Sequence, residues 1–318
     1  MSDSTVIHVK DLAFSYPGRL ALAGVSFDVS RGEIFGIVGP NGGGKTTIFR
    51  VLSTLLRPDA GHASVCGHDV ATDPIAIRRR IGVVFQSPGL DQKLTVRENL
   101  RHQGHLYGYR GEILRVRIDE LLERIGPADR ADDRVETLSG GLQRRVEVAK
   151  GILHEPEVLL LDEPTSHLDP GARREVWDIL RELQIKKRVT ILLTTHLMEE
   201  AERCDRVAIL DEGFVIASGT PESLKSELGG DVIRLEAKEP GALCMDIEEK
   251  FGYEAKLVNG TIRIEREGGQ AHAAALLEAF PGKIHSLTLG PPTLEDVFFH
   301  KTGHRFLDEP TPSGENGR

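Results

Sequence analysis

The sequence predicts an α/β core on a mainly parallel sheet, with an antiparallel β part before it and a smaller α+β unit after it. Three observations point there. Short continuous apolar runs, IFGIVG (34–39), VLLL (158–161) and TILLTT (190–195), read as strands buried on both faces. Helical periodicities separate them, and strands alternating with helices imply a parallel sheet. Beyond about residue 229 the order becomes strand, helix, strand, strand, helix, strand, that of a split βαβ, ferredoxin-like arrangement.

Taken in order, residues 5–30 alternate apolar and polar (VIHVKDLAFSY, then LAGVSFDVS), as strands with one wet face do. IFGIVG ends in glycine and leads into a helical pattern over 46–57; IGVVFQ (81–86) is a further strand. Between Gln86 and Glu157 the pattern turns mostly helical. Thr95 and Glu98 make a capping box, and EILRVRIDELLERIG places Ile113, Ile118, Leu121, Leu122 and Ile125 on one side. The spacing predicts a helical insertion over about 87–157. Helices over 171–187 and 197–203 flank TILLTT, and VAIL (207–210) adds a strand. In the last unit, Asn259-Gly260 between EAKLV and TIRIER is a type I′ hairpin signal, and a short helix runs from Thr293 to about His300. DEPTPSGENGR is polar and rich in Pro and Gly, so disorder is expected there. The expected division is 1–228, 229–307 and a tail over 308–318.

With 318 residues, length alone favours about two domains. The chain is 39% hydrophobic and 28% charged, enough to bury a sizeable core. A net charge of −9 argues against a nucleic-acid surface, which needs a basic excess. The 3 cysteines (Cys66, Cys204, Cys244) are widely spaced and odd in number, which suits a reducing cytoplasm rather than a disulfide framework. MSDSTVIHVKD holds no apolar signal core, and no apolar run reaches membrane-spanning length. The expectation is a chain soluble by itself, with any membrane role coming from a partner. His102 with His105, and His300 with His304, have helical spacing but no third ligand nearby, so solvated helix faces are expected.

GPNGGGKTT (39–47) follows a buried strand and precedes a helix, and it fits G-x-x-x-x-G-K-[ST]. In the stretch Gly39, Pro40, Asn41, Gly42, Gly43 and Gly44 the glycines let backbone N–H groups wrap phosphates. Lys45 reaches the outer phosphates, the Thr46 hydroxyl ligates Mg²⁺, and Thr47 continues the turn. In VLLLDEP (158–164) a strand ends in Asp162, a carboxylate for the Mg²⁺ shell, and Glu163 follows where an attacking water could be oriented or deprotonated. Together these two motifs predict an ATPase or GTPase. LSGGLQRR (138–145) raises a further question. Ser139, Gly140 and Gly141 open a helix, whose N-terminus is a ready anion site. The octamer alone fits equally well a serine N-cap with a glycine turn.

The ordered set of motifs resembles the nucleotide-binding subunit of ABC transporters, over roughly residues 5–225. LSGG matches that family's signature, with Ser139 lying 23 residues before Asp162. Gln86 matches the Q-loop, SHLD (166–169) the D-loop ending in Asp169, TTH the switch histidine His196, and Tyr16 the aromatic that stacks on adenine. The resemblance implies bound ATP and Mg²⁺, with Gln86 beside the metal, and Glu163, His196 and Gln86 in catalysis. It also implies a head-to-tail homodimer in which Ser139, Gly140 and Gly141 serve the nucleotide of the other chain. Leu142 stands where many members have Gln, His167 where Gly or Ala is usual, and Gly43 where Ala or Ser is commoner. Leu142 and the tail TLEDVFFHKTGH (293–304) resemble the branch of daunorubicin-resistance and nodulation-factor ATPases.

The expected function follows: a cytoplasmic ATPase at the inner face of the membrane, driving a separate multi-span permease in export of a drug-like, lipid or polysaccharide-type compound. The rival is a soluble ABC ATPase acting in translation or DNA maintenance. Against the rival stand one ATPase domain rather than two, the acidic balance, and only 94 residues between Lys45 and Ser139, without sustained heptads.

Overall fold

The alternating N-terminal residues form two long antiparallel strands, β1 (Thr5–Tyr16) and β2 (Arg19–Ser30). One face is dry: Ile7, Val9 and Leu12 meet Leu22, Val25 and Val29 in a single cluster. The structure, a computed structural model, describes residues 5–258, 260–304 and 306, and the chain divides into two units between Ser218 and Gly219. That division lies upstream of the expected 228/229 boundary.

In the first unit, β3 (Ile34–Val38) is buried throughout and leads into α1 (Lys45–Leu52). This helix stops five residues short of the expected 57. Thr54 takes φ 62°, and the Thr54 and Leu55 N–H groups bond back to Val51 and Arg50. That is a Schellman closure with threonine in the place usual for glycine. β4 (Ala60–Val65) and β5 (His68–Asp69) extend the antiparallel sheet in the order β2-β1-β4-β5.

After α2 (Pro74–Arg78) and β6 (Ile81–Val84) come the helices of the insertion, α3 (Val96–Leu106), α4 (Gly111–Arg124) and α5 (Gly140–Ile152). The capping box at Thr95 and Glu98 is present in both directions. The stripe expected on α4 needs correction: Leu114, Ile118, Leu122 and Ile125 are buried, whereas Ile113 is 70% exposed. Position 113 is five residues from 118, about 140° around the helix, so it cannot share that face.

The main sheet is completed by β7 (Val158–Asp162), β8 (Thr190–Thr195), β9 (Arg206–Asp211) and β10 (Phe214–Gly219), interleaved with α6 (Pro170–Lys187) and α7 (Met198–Ala201). Helix α7 is shorter than the expected 197–203, because Arg203 and Cys204 continue it only as i→i−3 turns before Asp205 joins the sheet through Ile34. The strand order is β10-β9-β3-β8-β7-β6, with β6, β7, β8, β3 and β9 paired in parallel.

The second unit opens with α8 (Pro221–Ser226) and follows the expected order: β11 (Asp231–Ala237), α9 (Pro240–Phe251), β12 (Ala255–Val258), β13 (Thr261–Arg266), α10 (Gly269–Ala279), β14 (Ile284–Gly290). The sheet order β12-β13-β11-β14, antiparallel throughout, is the ferredoxin-like one. Ile233, Leu235, Ile247, Ile262, Ile264 and Leu276 form its core. Asn259 of the expected hairpin turn and the expected disordered tail over 308–318 lie outside the described residues. α11 (Leu294–Thr302) is pinned to the sheet by Asp296, which accepts from both Arg234 and Arg263. Helix α8 packs on α11, which is why the second unit begins before residue 229. Among the described residues, no helix is long and apolar enough to cross a membrane.

The insertion rests on the main sheet at a backbone-to-backbone contact. A Cβ on Gly82 of β6 would stand 2.2 Å from the Gly151 carbonyl oxygen of α5. Gly82→Ala should therefore lower the unfolding midpoint by roughly 2–10 °C in a thermal scan, the overpacking cost for a unit of this size. An unchanged midpoint would mean that α5 moves off the sheet freely.

Candidate functional site

Four neighbouring parallel strands end level with one another. Val38 of β3 pairs with Thr195 of β8, Thr194 with Asp162 of β7, and Leu161 with Val84 of β6. The residues just past these ends are Gly39–Thr47, His196, Glu163 and Gln86, so four distant sequence motifs arrive at one sheet edge. Ligands of parallel α/β sheets bind at this carboxyl edge.

The turn from β3 into α1 is shaped by close approach. A Cβ at Gly39 would stand 2.4 Å from the Leu210 carbonyl, and Gly44 takes φ 106° beside Ala21. Helix α1 has no side-chain cap, so its first N–H groups are left to an anion. Lys45 is only 4% exposed, and its Nζ donates to the carbonyls of Gly39 (2.8 Å) and Pro40 (2.9 Å). Burial pushes its pKa down, opposed by the charges of Glu163 and Asp162. Tyr16, Asn41, Thr46, Thr47, Gln86 and Glu163 line the same cleft. The Tyr16 hydroxyl accepts from Arg50 at 3.4 Å.

Glu163, 7% exposed, is where the side chains converge. Its Oε2 accepts from Gln86 Nε2 at 3.1 Å and from Ser166 Oγ at 3.0 Å. His196 Nδ1 lies 3.1 Å from the same oxygen, at ion-pair distance but without hydrogen-bond alignment, and Lys45 Nζ lies 3.7 Å from Oε1. Burial alone would raise the Glu163 pKa. His196, Lys45 and the Ser166 hydroxyl outweigh it and hold the carboxyl below its usual range. Asp162 moves the opposite way, raised by burial although its Oδ1 accepts from Thr194 Oγ1 at 2.5 Å. The two adjacent carboxyls therefore differ in proton affinity, the one beside Lys45 and His196 being held ionised.

The donor set suits Mg²⁺: the Asp162 carboxylate, the Thr46 hydroxyl and the Gln86 amide are oxygen ligands for a hard cation. Among the described residues no group of three His, Cys, Asp or Glu side chains is placed to hold a metal by itself. His300 pairs with Glu265, and His304 packs against Phe298.

The remaining expected site residues lie elsewhere. Ser139 caps α5, accepting from Leu142 N at 3.3 Å, and Asp169 caps α6, accepting from Gly171 and Ala172. Neither these two nor Gly140 and Gly141 line the cleft around Lys45. Two residues were missed. Arg19 lines the cleft and donates to the Gly42 carbonyl at 2.5 Å. Arg144 is buried behind Glu163 and bonds to the carbonyls of Asp162, Glu163 and Pro164. The one available signal was an Arg144/Glu147 pair at helical spacing among the small and apolar residues of that side.

Comparison with known proteins shows which family the chain resembles. Residues 22–166 match a model of the ABC transporter family, and 219–302 match the C-terminal domain of DrrA1-3-like ATP-binding proteins. A model of an AAA domain described as a putative AbiEii toxin of a type IV toxin–antitoxin system matches 136–202. The chain is 42% identical to the daunorubicin resistance ATP-binding protein DrrA3 of Streptomyces coeruleorubidus, covering 94% of this chain and 96% of that one. It is 40% identical to the Nod factor export ATP-binding protein I of Burkholderia orbicola, covering 95% and 98%. Among solved structures it resembles cbiO1 from Clostridium perfringens, part of the cbiONQ transporter complex, at TM-score 0.65 and 29% identity over 79% of this chain and 97% of that one. It also resembles an ATP-binding cassette dimer bound to ADP and phosphate, at TM-score 0.61 and 28% identity over 67% and 98%.

If Glu163 handles the attacking water while Lys45 and Thr46 hold nucleotide, Glu163→Gln should keep ATP affinity and lower turnover by about 100-fold or more. Equilibrium nucleotide binding and steady-state phosphate release check the two halves separately. Undiminished phosphate release would remove Glu163 from the chemistry.

Proposed function

Because the chain belongs to the ATP-binding subunits of ABC transporters and is an ATPase of that family, we propose that it dimerises head to tail around two ATP and drives a separate membrane permease in export. The observation that carries the catalytic part is the convergence of Lys45, Gln86, Ser166 and His196 on the Glu163 carboxylate. In this reading the N–H groups of Asn41–Thr46 and the Lys45 ammonium hold the phosphates, and Tyr16 stacks on adenine. Asp162, Thr46 and Gln86 would hold Mg²⁺, which would supply charge neutralisation at the phosphates. Glu163, kept ionised by its neighbours, orients a water and accepts its proton. Gln86 and Ser166 hold the carboxylate in place, with His196 beside it.

Ser139, Gly140 and Gly141 answer the question of the second helix end: they are a phosphate site for the nucleotide of the other chain, with Asp169 at the same junction. Two ATP then join the chains, and hydrolysis removes the bridging charge, which makes the dimer a mechanical switch. The relatives named for daunorubicin resistance and Nod factor export, matched over nearly their whole length, support export of a drug-like, lipid or polysaccharide-type compound. The permease would place the subunit at the inner face of the membrane, receiving a permease segment near residues 87–100. Residues 229–307 would serve as a dimer support or docking element.

Complementation tests the trans arrangement. Lys45→Ala damages its own phosphate loop but keeps a sound signature; Ser139→Arg does the reverse. Each homodimer then has two damaged sites, whereas a mixed dimer has one site with both halves intact. Single-turnover ATP hydrolysis and nucleotide trapping should both reappear on mixing. Verified mixed dimers that recover neither would place Ser139 outside the partner's site.

A further inference from the structure

Among the buried charges that the scheme above leaves unused, one lies against the catalytic carboxylate. Arg144 lies on α5, just past the Ser139 cap, and is 7% exposed. All five of its N–H donors are engaged. Nε donates to Pro164 O at 2.6 Å, and Nη2 donates to Asp162 O at 3.3 Å and Glu163 O at 3.2 Å. Nη1 donates to Phe85 O at 2.7 Å and to Glu147 Oε2 at 2.6 Å. The other oxygen of Glu147 accepts from Gly89 N at 2.6 Å, and Lys150, one turn on, donates to Gly89 O at 2.6 Å. One side chain thus spans three segments: the helix headed by Ser139, the three carbonyls around Glu163, and the stretch that carries Gln86.

A buried ion pair is weak evidence for stability, since well-packed apolar side chains often replace it without loss. The backbone it holds suggests a different use. Glu163 takes φ 45°, a conformation that a non-glycine residue keeps only when its surroundings over-determine it. On one side Thr194 fixes it, accepting from Glu163 N at 3.1 Å through its carbonyl and 3.0 Å through its hydroxyl. On the other side the fixing group is Arg144. A planar fork of five donors can hold several carbonyls at once, which a lysine ammonium cannot.

We propose that Arg144, supported by Glu147, is a positioning residue that aims the Glu163 carboxylate and couples it to α5 and to the segment 85–89. This rests on the catalytic reading of Glu163. Its consequence is a rigid link: a shift of α5, headed by Ser139, moves the carbonyls of Asp162 and Glu163 together with the backbone flanking Gln86. The signature that serves one nucleotide is thereby tied to the carboxylate that serves the other.

The test uses the full chain with Arg144→Lys, which keeps the buried charge but loses the fork, and Arg144→Met/Glu147→Met, which removes the pair without orphaning either charge. Glu163→Gln runs in parallel. Both Arg144 variants should lose about 100-fold in kcat while the ATP dissociation constant stays within about threefold, the split expected when an aligned group is misplaced. The double variant should remain folded, with an unfolding midpoint lowered by the Phe85, Asp162, Glu163 and Pro164 carbonyls it leaves without a donor. Wild-type kcat in either folded variant would overturn the proposal. So would a kcat loss that merely follows lost ATP binding, which would make Arg144 a support of the fold. If Glu163→Gln itself keeps full turnover, the catalytic reading fails, and this proposal falls with it. If Glu163→Gln is inactive and the Arg144 variants are not, only the present proposal fails.

Discussion

The site depends first on the level ending of β3, β8, β7 and β6. Parallel pairing aligns Val38 with Thr195, Thr194 with Asp162, and Leu161 with Val84. The next residue or two along each strand then face a common edge. This alignment brings Lys45, His196, Glu163 and Gln86 to one place. A one-residue slip between any two of these strands would turn an inward side chain to the opposite face. The requirement is enforced from below, where the strands run as Ile, Leu and Val buried on both sides and have no polar face to offer solvent.

Strain and burial concentrate at the same edge. Glu163 and His167 both take positive φ, four residues apart, between β7 and α6. The same turn is tied to the end of β8 from beneath: buried Glu200 accepts from Thr165, from Thr195 at 2.6 Å and from Trp177 at 3.3 Å. The φ of 66° at His167 also bears on a departure from the family pattern. Left-handed backbone explains why glycine suits this position, and histidine is among the few other types enriched there. Histidine can thus replace glycine without rebuilding the turn.

What was legible in the sequence was what is local. The phosphate loop, the paired carboxylates and the capping box at Thr95 depend on residues within one turn of each other. The ferredoxin-like order was legible because each of its strands and helices shows its own period. Sheet order was not, since the neighbours of β3 are β8 and β9, far along the chain. With sheet order went the contacts it creates, including the convergence on Glu163 and the placement of Arg144 against three distant carbonyls. The error at Ile113 has a different origin. Ile113 and Leu114 are adjacent apolar residues, and only packing selects which of the two faces in.

The signature octamer divides along the same line between local and distant causes. Ser139 is accounted for within the chain, as the cap that accepts from Leu142 N. Gly141 is too, since a Cβ there would stand 2.6 Å from the Ala172 Cβ and push α5 off α6. Gly140 is not. Its φ is ordinary and its nearest neighbour, Leu168, is 4.0 Å from where a Cβ would sit, so neither conformation nor packing in this chain asks for glycine. A glycine also costs the helix start entropy relative to alanine. Under the proposed trans arrangement, a nucleotide phosphate approaching the end of α5 from a second copy would give Gly140 its reason. The same helix carries Arg144 on its inner side, bonded to the carbonyls around Glu163, so in the proposed arrangement the end that would meet one phosphate and the support of Glu163 belong to a single rigid element.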